Sequence, residues 1–188
     1  LYAVQQSGLS FARAVWAIVR KDLTAELQTR EIISAMLVFA VLALFIFSFA
    51  LDLRGALASA AAPGVLWAIL AFTGTLGLSR SLAREHQTGG MEGLMAAPID
   101  RTGIFFGKAL STAYMMGLVA LILLPLTVIF FTVPMLTAPI LLTAALGIVG
   151  YAAVGTLMAA IAVNTRAREV MLPILLLPVI FPLFLAAV

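Results

Sequence analysis

Cysteine is absent from the 188 residues, histidine occurs once, and charged side chains make up only 10% of the chain. The first absence excludes disulfides, thiolate metal sites and a cysteine nucleophile. The single histidine, His86, has no second histidine or cysteine to complete a haem or metal site, so it reads as a solvated or hydrogen-bonded side chain. The shortage of charge is concentrated. No charged residue falls between Glu31 and Asp52, between Arg54 and Arg80, or from Ala109 to Thr165. Runs without Asp, Glu, Lys, Arg or His hold no proton relay and no intramembrane ion site of the usual kind, which disfavours a secondary transporter. They also lack a base to activate a serine, which disfavours an intramembrane hydrolase. No catalytic residue and no metal ligand is therefore assigned.

What is present is hydrophobic, 64% of all residues, in runs long enough to cross a bilayer. The expected fold is an all-α polytopic transmembrane bundle in a single membrane domain, 1–188, with spans at about 32–51, 58–79, 109–132, 139–163 and 170–188. Pro63 suits the first turn of the second span, Pro134 and Pro139 break the long uncharged run into a hairpin, and Pro125 should kink the third span. Pro173, Pro178 and Pro182 make the fifth run irregular. It is either a kinked helix or, because backbone freed at that depth must face protein or a cavity, a gate element. Gly74 with Gly77, Ala113 with Gly117, and Gly155 with Ala159 are small enough to let helices approach closely.

Ten of the eleven Lys and Arg fall in the amino-terminal segment, in 80–108 and in the loop after Asn164, with Arg54 alone on the other side. Positive residues mark the cytoplasmic side, so the amino terminus and residues 80–108 are assigned there. The same spread argues against nucleic acid as a partner, which would need the net charge of +3 gathered on one soluble face. Five crossings leave the carboxyl end outside, directly after an apolar run, and the pattern predicts a sixth span beyond it. Residues 10–30 read as an amphipathic helix lying at the interface, with Phe11, Val15, Ile18 and Val19 on one side and Arg13 and Arg20 on the other. Asp22 interrupts its apolar stripe. Glu26 and Arg30 stand at i and i+4 in the order that favours an ion pair, or simply share a solvated face.

The polar island 80–108 cannot lie in lipid, because its seven charges would cost on the order of 17 to 25 kcal/mol to insert. Within it Gly89 and Gly90 break the chain, Met91, Leu94 and Met95 give a short helix-compatible run an apolar side, and Pro98 stops it. So short a helix needs a docking surface or the headgroup layer to rest on. "GIFFGK" at 103–108 is not a phosphate loop, since only three residues separate its glycines and alanine follows the lysine.

The pattern Glu85, Gly89, Gly90, Glu92, Leu94, Pro98, Lys108 between two spans resembles the permease subunits of ABC-2 type transporters. With "KDLTAEL" at 21–27, "APGVLW" at 62–67 and "LPILLLPVIFPLF" at 172–184, it resembles in particular the haem exporter protein B (CcmB) family of cytochrome c biogenesis. The resemblance implies a six-span permease, of which five spans are present, in the bacterial inner membrane. Its implied partners are a second copy, a cytoplasmic ATPase of the CcmA type that carries ATP and magnesium, a CcmC-type haem-handling subunit and a CcmD-type helper. It also implies that Glu85 to Pro98 is the coupling segment seated in a groove of the ATPase. Met91, Glu92, Leu94 and Met95 would be at its centre, and Arg80 to Arg84 with Lys108 would carry motion into the second and third spans. Lys21, Asp22, Glu26 and Arg30 belong to the matching interfacial helix. Haem is implied as a possible substrate of the complex, with no cofactor assigned to this chain. A generic ABC-2 exporter of a lipid, drug or polysaccharide, and an assembly subunit that moves no solute, are the alternatives.

Overall fold

The computed structural model describes residues 7–50, 56–90, 100–134, 136–162, 174 and 176. Five helices occupy them: α1 Ser7–Thr29, α2 Glu31–Ala50, α3 Ala56–Gln87, α4 Arg101–Phe131 and α5 Ala138–Ala162. Four of these, α2 to α5, are long and apolar enough to cross a membrane. The expected fifth span, 170–188, and its three prolines lie outside the described residues apart from Ile174 and Leu176.

The spans are apolar on their outward sides as well as in the core. In α2 only the i, i+4 stripe Ile32, Met36, Ala40 and Leu44 is buried, while Phe39, Ile46 and Phe49 point outward, as suits a helix with one protein-facing edge and lipid elsewhere. α3 is the most enclosed span, and α4 touches all four other helices. Small residues set the spacing between them. A side chain at Gly77 would meet the Met36 sulfur 2.6 Å away, one at Gly74 would meet the Tyr151 ring at 2.6 Å, and one at Gly147 would run into Trp67. Gly155 is likewise filled by Leu78, whereas Gly117, expected to make a close approach, has open space beside it. The Tyr151 hydroxyl lies 2.7 Å from Thr75 Oγ1 and donates to the Ala71 carbonyl at 2.9 Å, a polar knot between α5 and α3 that water cannot replace in lipid.

Three boundaries depart from those expected from the sequence. α3 begins at Ala56, so Pro63 lies inside the helix rather than in its first turn. It continues to Gln87, and α4 starts at Arg101, each about two turns beyond the apolar run. The helices run past the uncharged runs because a helix can carry charges when partners meet them, and Arg84, Glu85 and Lys108 are met. α4 also runs on through Pro125 as helix to Phe131. The hairpin between α4 and α5 falls where Pro134 and Pro139 placed it.

Candidate functional site

α1 lies across the end of the bundle at which α2 starts, α3 finishes and α4 begins. Its inward stripe changes character halfway. Ile18 and Val19 are buried, and Ile18 packs on Gly107 of α4, where any side chain would come within 2.8 Å of it. One turn further on, the same stripe presents Asp22 and then Glu26, which is only 1% exposed. The break that Asp22 makes in the apolar pattern is the point where α1 leaves the apolar wall of α4 and meets the charged extensions of α3 and α4.

Those extensions supply the counter-charges. Lys108 Nζ lies 2.8 Å from Asp22 Oδ2 and in direct contact with Glu85. Lys21 reaches Glu85 at 3.2 Å and Asp22 at 3.3 Å. Arg84 binds Glu26 at 3.3 Å and donates to the Ala25 carbonyl at 3.0 Å. Lys21, Arg84 and Lys108 thus face Asp22, Glu26 and Glu85, and their formal charges cancel. Such cancellation is required where carboxylates are this enclosed, because an unpaired buried charge is costly. Burial alone would lower the pKa of Lys21, but the attraction of Asp22 and Glu85 outweighs it and holds the ammonium above its ordinary value. At the edge of the cluster, Arg80 and Glu31 stand 3.8 Å apart and exposed, a pair of little energetic weight. A cavity of about 240 Å³ beside the cluster is lined by Asp22, Arg84, Glu85 and Lys108 with Ile32 and Met115.

The link from α1 to α2 belongs to the same device. Arg30 takes a left-handed conformation, φ 53°, and turns the chain, while Glu26 Oε1 accepts the Ile33 amide at 2.8 Å and so caps the first turn of α2. Glu26 therefore divides its carboxylate between Arg84 and that amide. The alternative pairing with Arg30 is not made, because the left-handed residue ends the helix on which an i, i+4 pair depends.

Of the residues singled out from the sequence, the fold gathers Lys21, Asp22, Glu26, Glu85 and Lys108 into one cluster. Glu85 and Lys108 are helical and turned inward rather than lying in a loop between spans. Gly89, with φ 65°, forms the turn after α3 together with Thr88, taking the left-handed position that glycine adopts without strain, and Gly90 follows it in helical conformation. Met91, Glu92, Leu94, Met95 and Pro98 lie outside the described residues, as do Pro173, Pro178 and Pro182. Arg84 was expected only within the stem 80–84 that carries motion into the second span, and not as a member of a charged cluster. Its signal was available: it stands four residues after Arg80 and directly before Glu85, at a spacing that continues α3.

The family model of the CcmB protein matches residues 13–188, beginning inside α1 and running through every span described. The chain belongs to the CcmB family. Neither the curated proteins nor the solved structures contain a significant match to it. CcmB is the membrane permease of the haem-export system of cytochrome c biogenesis, so this chain is a multi-pass membrane subunit of that ABC transporter system. The ion cluster, a clamp of α1 on α3 and α4, lies inside the CcmB-matched region.

Proposed function

We propose that this CcmB chain converts ATPase motion into movement of its spans, and that the clamped stems of α3 and α4 are the part that makes the conversion stiff. The observation that carries this reading is the ion cluster itself. It ties α1, α3 and α4 together at the roots of residues 88–100, the segment that in this reading sits in a groove of a CcmA-type ATPase. A nucleotide-driven shift of the groove biases the spans only insofar as the two states differ in energy, and a slack stem would absorb that difference. With both stems locked to α1, displacement of the segment moves three helices as one body. The ATPase binds the nucleotide, and this chain carries out no chemistry.

The output favoured is release of a haem-loaded chaperone on the outer face, with haem handled by the CcmC-type subunit and not ligated by this chain. A single histidine and no cysteine give the chain a poor ligand set for haem iron. Two copies of the chain with two ATPases complete the unit. The full complex reconstituted in vesicles tests the coupling: Leu94→Asp or Glu92→Arg should leave insertion and basal ATP hydrolysis intact while lowering chaperone release at least tenfold. Normal release by both variants would refute the docking role of this segment. ATP-dependent appearance of haem on the far side of vesicles lacking the chaperone would instead establish transport.

A further inference from the structure

The outward face of α1 bears a second charged feature that the clamp does not use. Arg13, Trp16 and Arg20 follow one another at i, i+3 and i+7 along one stripe, and both arginines are exposed with no carboxylate partner among the described residues. They line a shallow shelf of about 670 Å³ together with Ala17, Lys21 and Thr24. Trp16, 65% exposed, is also one wall of a separate apolar groove of about 430 Å³. Phe11 and Val15 of α1, Phe105 and Ala113 of α4, and Val149 of α5 line that groove together with the edge-to-face pair Phe11–Phe106, 5.9 Å between centroids. From Phe105 to Ala113 the groove descends about 12 Å along α4, into the depth of the bilayer. A cationic shelf and an apolar channel thus share a tryptophan at the level where interfacial tryptophans sit.

We infer that this face holds an anionic phospholipid of the leaflet in which α1 lies, its phosphate on Arg13 and Arg20 and one acyl chain in the groove beneath Trp16. Charge complementarity selects this occupant. The two free guanidiniums match phosphate as planar donors, the groove wall is apolar, and its lining residues Val149 and Phe106 are exposed on the outer surface. A zwitterionic lipid would fill the groove equally well but gain less at the shelf. Lys21 contributes little, since Asp22 and Glu85 already hold its charge.

The chain's two tryptophans make the site measurable. Trp67 is buried, so fluorescence lost in Trp16→Phe protein reports Trp16 alone. The full-length chain in phosphatidylcholine vesicles is titrated with phosphatidylglycerol brominated on one acyl chain, or with phosphatidylcholine brominated identically. The anionic quencher should reach half-effect at a mole fraction on the order of tenfold lower. Arg13→Gln/Arg20→Gln, or raised salt, should bring the two curves together. Ala113→Phe, which fills the groove and keeps both arginines, should weaken the anionic curve, and it serves as the test if the double variant fails to fold. Identical curves for the two quenchers in the unaltered protein would overturn the inference and leave an ordinary lipid-covered surface. Failure of either to quench Trp16 would also overturn it, and would show that a protein, a second copy included, covers this face.

Discussion

Lys108 shows how one side chain decides a local architecture. It lies on α4, only 14% exposed, against two carboxylates from two other helices, Asp22 and Glu85. Replacing it with methionine preserves bulk but leaves those carboxylates side by side with Lys21 as their remaining cation. Lys108→Met should destabilise the detergent-solubilised protein by about 3–5 kcal/mol, the usual cost of breaking an enclosed pair on one side. Adding Glu85→Gln should recover part of that loss, and thermal unfolding followed by circular dichroism reads both. Lys21 responds to pH in one direction. Its pKa is raised in the folded protein, so its stabilising contribution is complete below its ordinary value of 10.5 and is lost as pH rises through the higher folded value. The alkaline fall in stability of the unaltered protein should therefore be shallower in Lys21→Met, and an unchanged alkaline profile would argue against this attraction.

At the level of helices, the junction of α1 and α2 was the least legible from sequence and the most informative once folded. Periodicity placed an amphipathic helix over 10–30 correctly, and the misfit of Asp22 was visible, but its meaning was not: a carboxylate in an apolar stripe is explained only by a cation on another element. Glu26 is the clearer case, with its ion pair to Arg84 and its cap on Ile33. Glu26→Gln keeps an oxygen for the cap and loses the ion pair, whereas Glu26→Ala loses both. The alanine variant should be the less stable by about 1 kcal/mol. A double-mutant cycle of Glu26→Gln with Arg84→Gln should show a coupling of about 1–3 kcal/mol, while additive effects would mean that the two helices are not joined through this pair. The ends of α3 and α4 were misread for the same reason. Hydropathy marks where lipid ends, and a helix ends where its backbone loses partners, at Gly89 for α3.

For the whole molecule, the asymmetry of positive charge predicts an orientation with the amino terminus in the cytoplasm, and the absence of cysteine makes that prediction directly testable. Gln87 and Thr137 are exposed at opposite ends of the bundle. With the amino terminus in the cytoplasm, Gln87→Cys should react with impermeant maleimide only from the cytoplasmic side and Thr137→Cys only from the other. The reverse pattern would place the clamp out of reach of any ATPase. The lipid-facing sides of α2 and α5, with Phe39, Ile46, Leu142 and Leu146, are apolar without being core, which suits a protein whose outer solvent is hydrocarbon.

Sequence by itself determined the all-helical class of this protein, the long apolar runs that become α2 to α5 and the family to which it belongs, because lipid imposes length and apolarity on every crossing, and both are written directly in the chain. Only the tertiary structure decided what the charges are for. The pairs of Arg84 with Glu26 and of Lys108 with Asp22 join residues 58 and 86 positions apart, and no local pattern encodes a partner at that distance. It is the crossing of α1 over the roots of α3 and α4 that turns scattered interfacial charges into a neutral clamp.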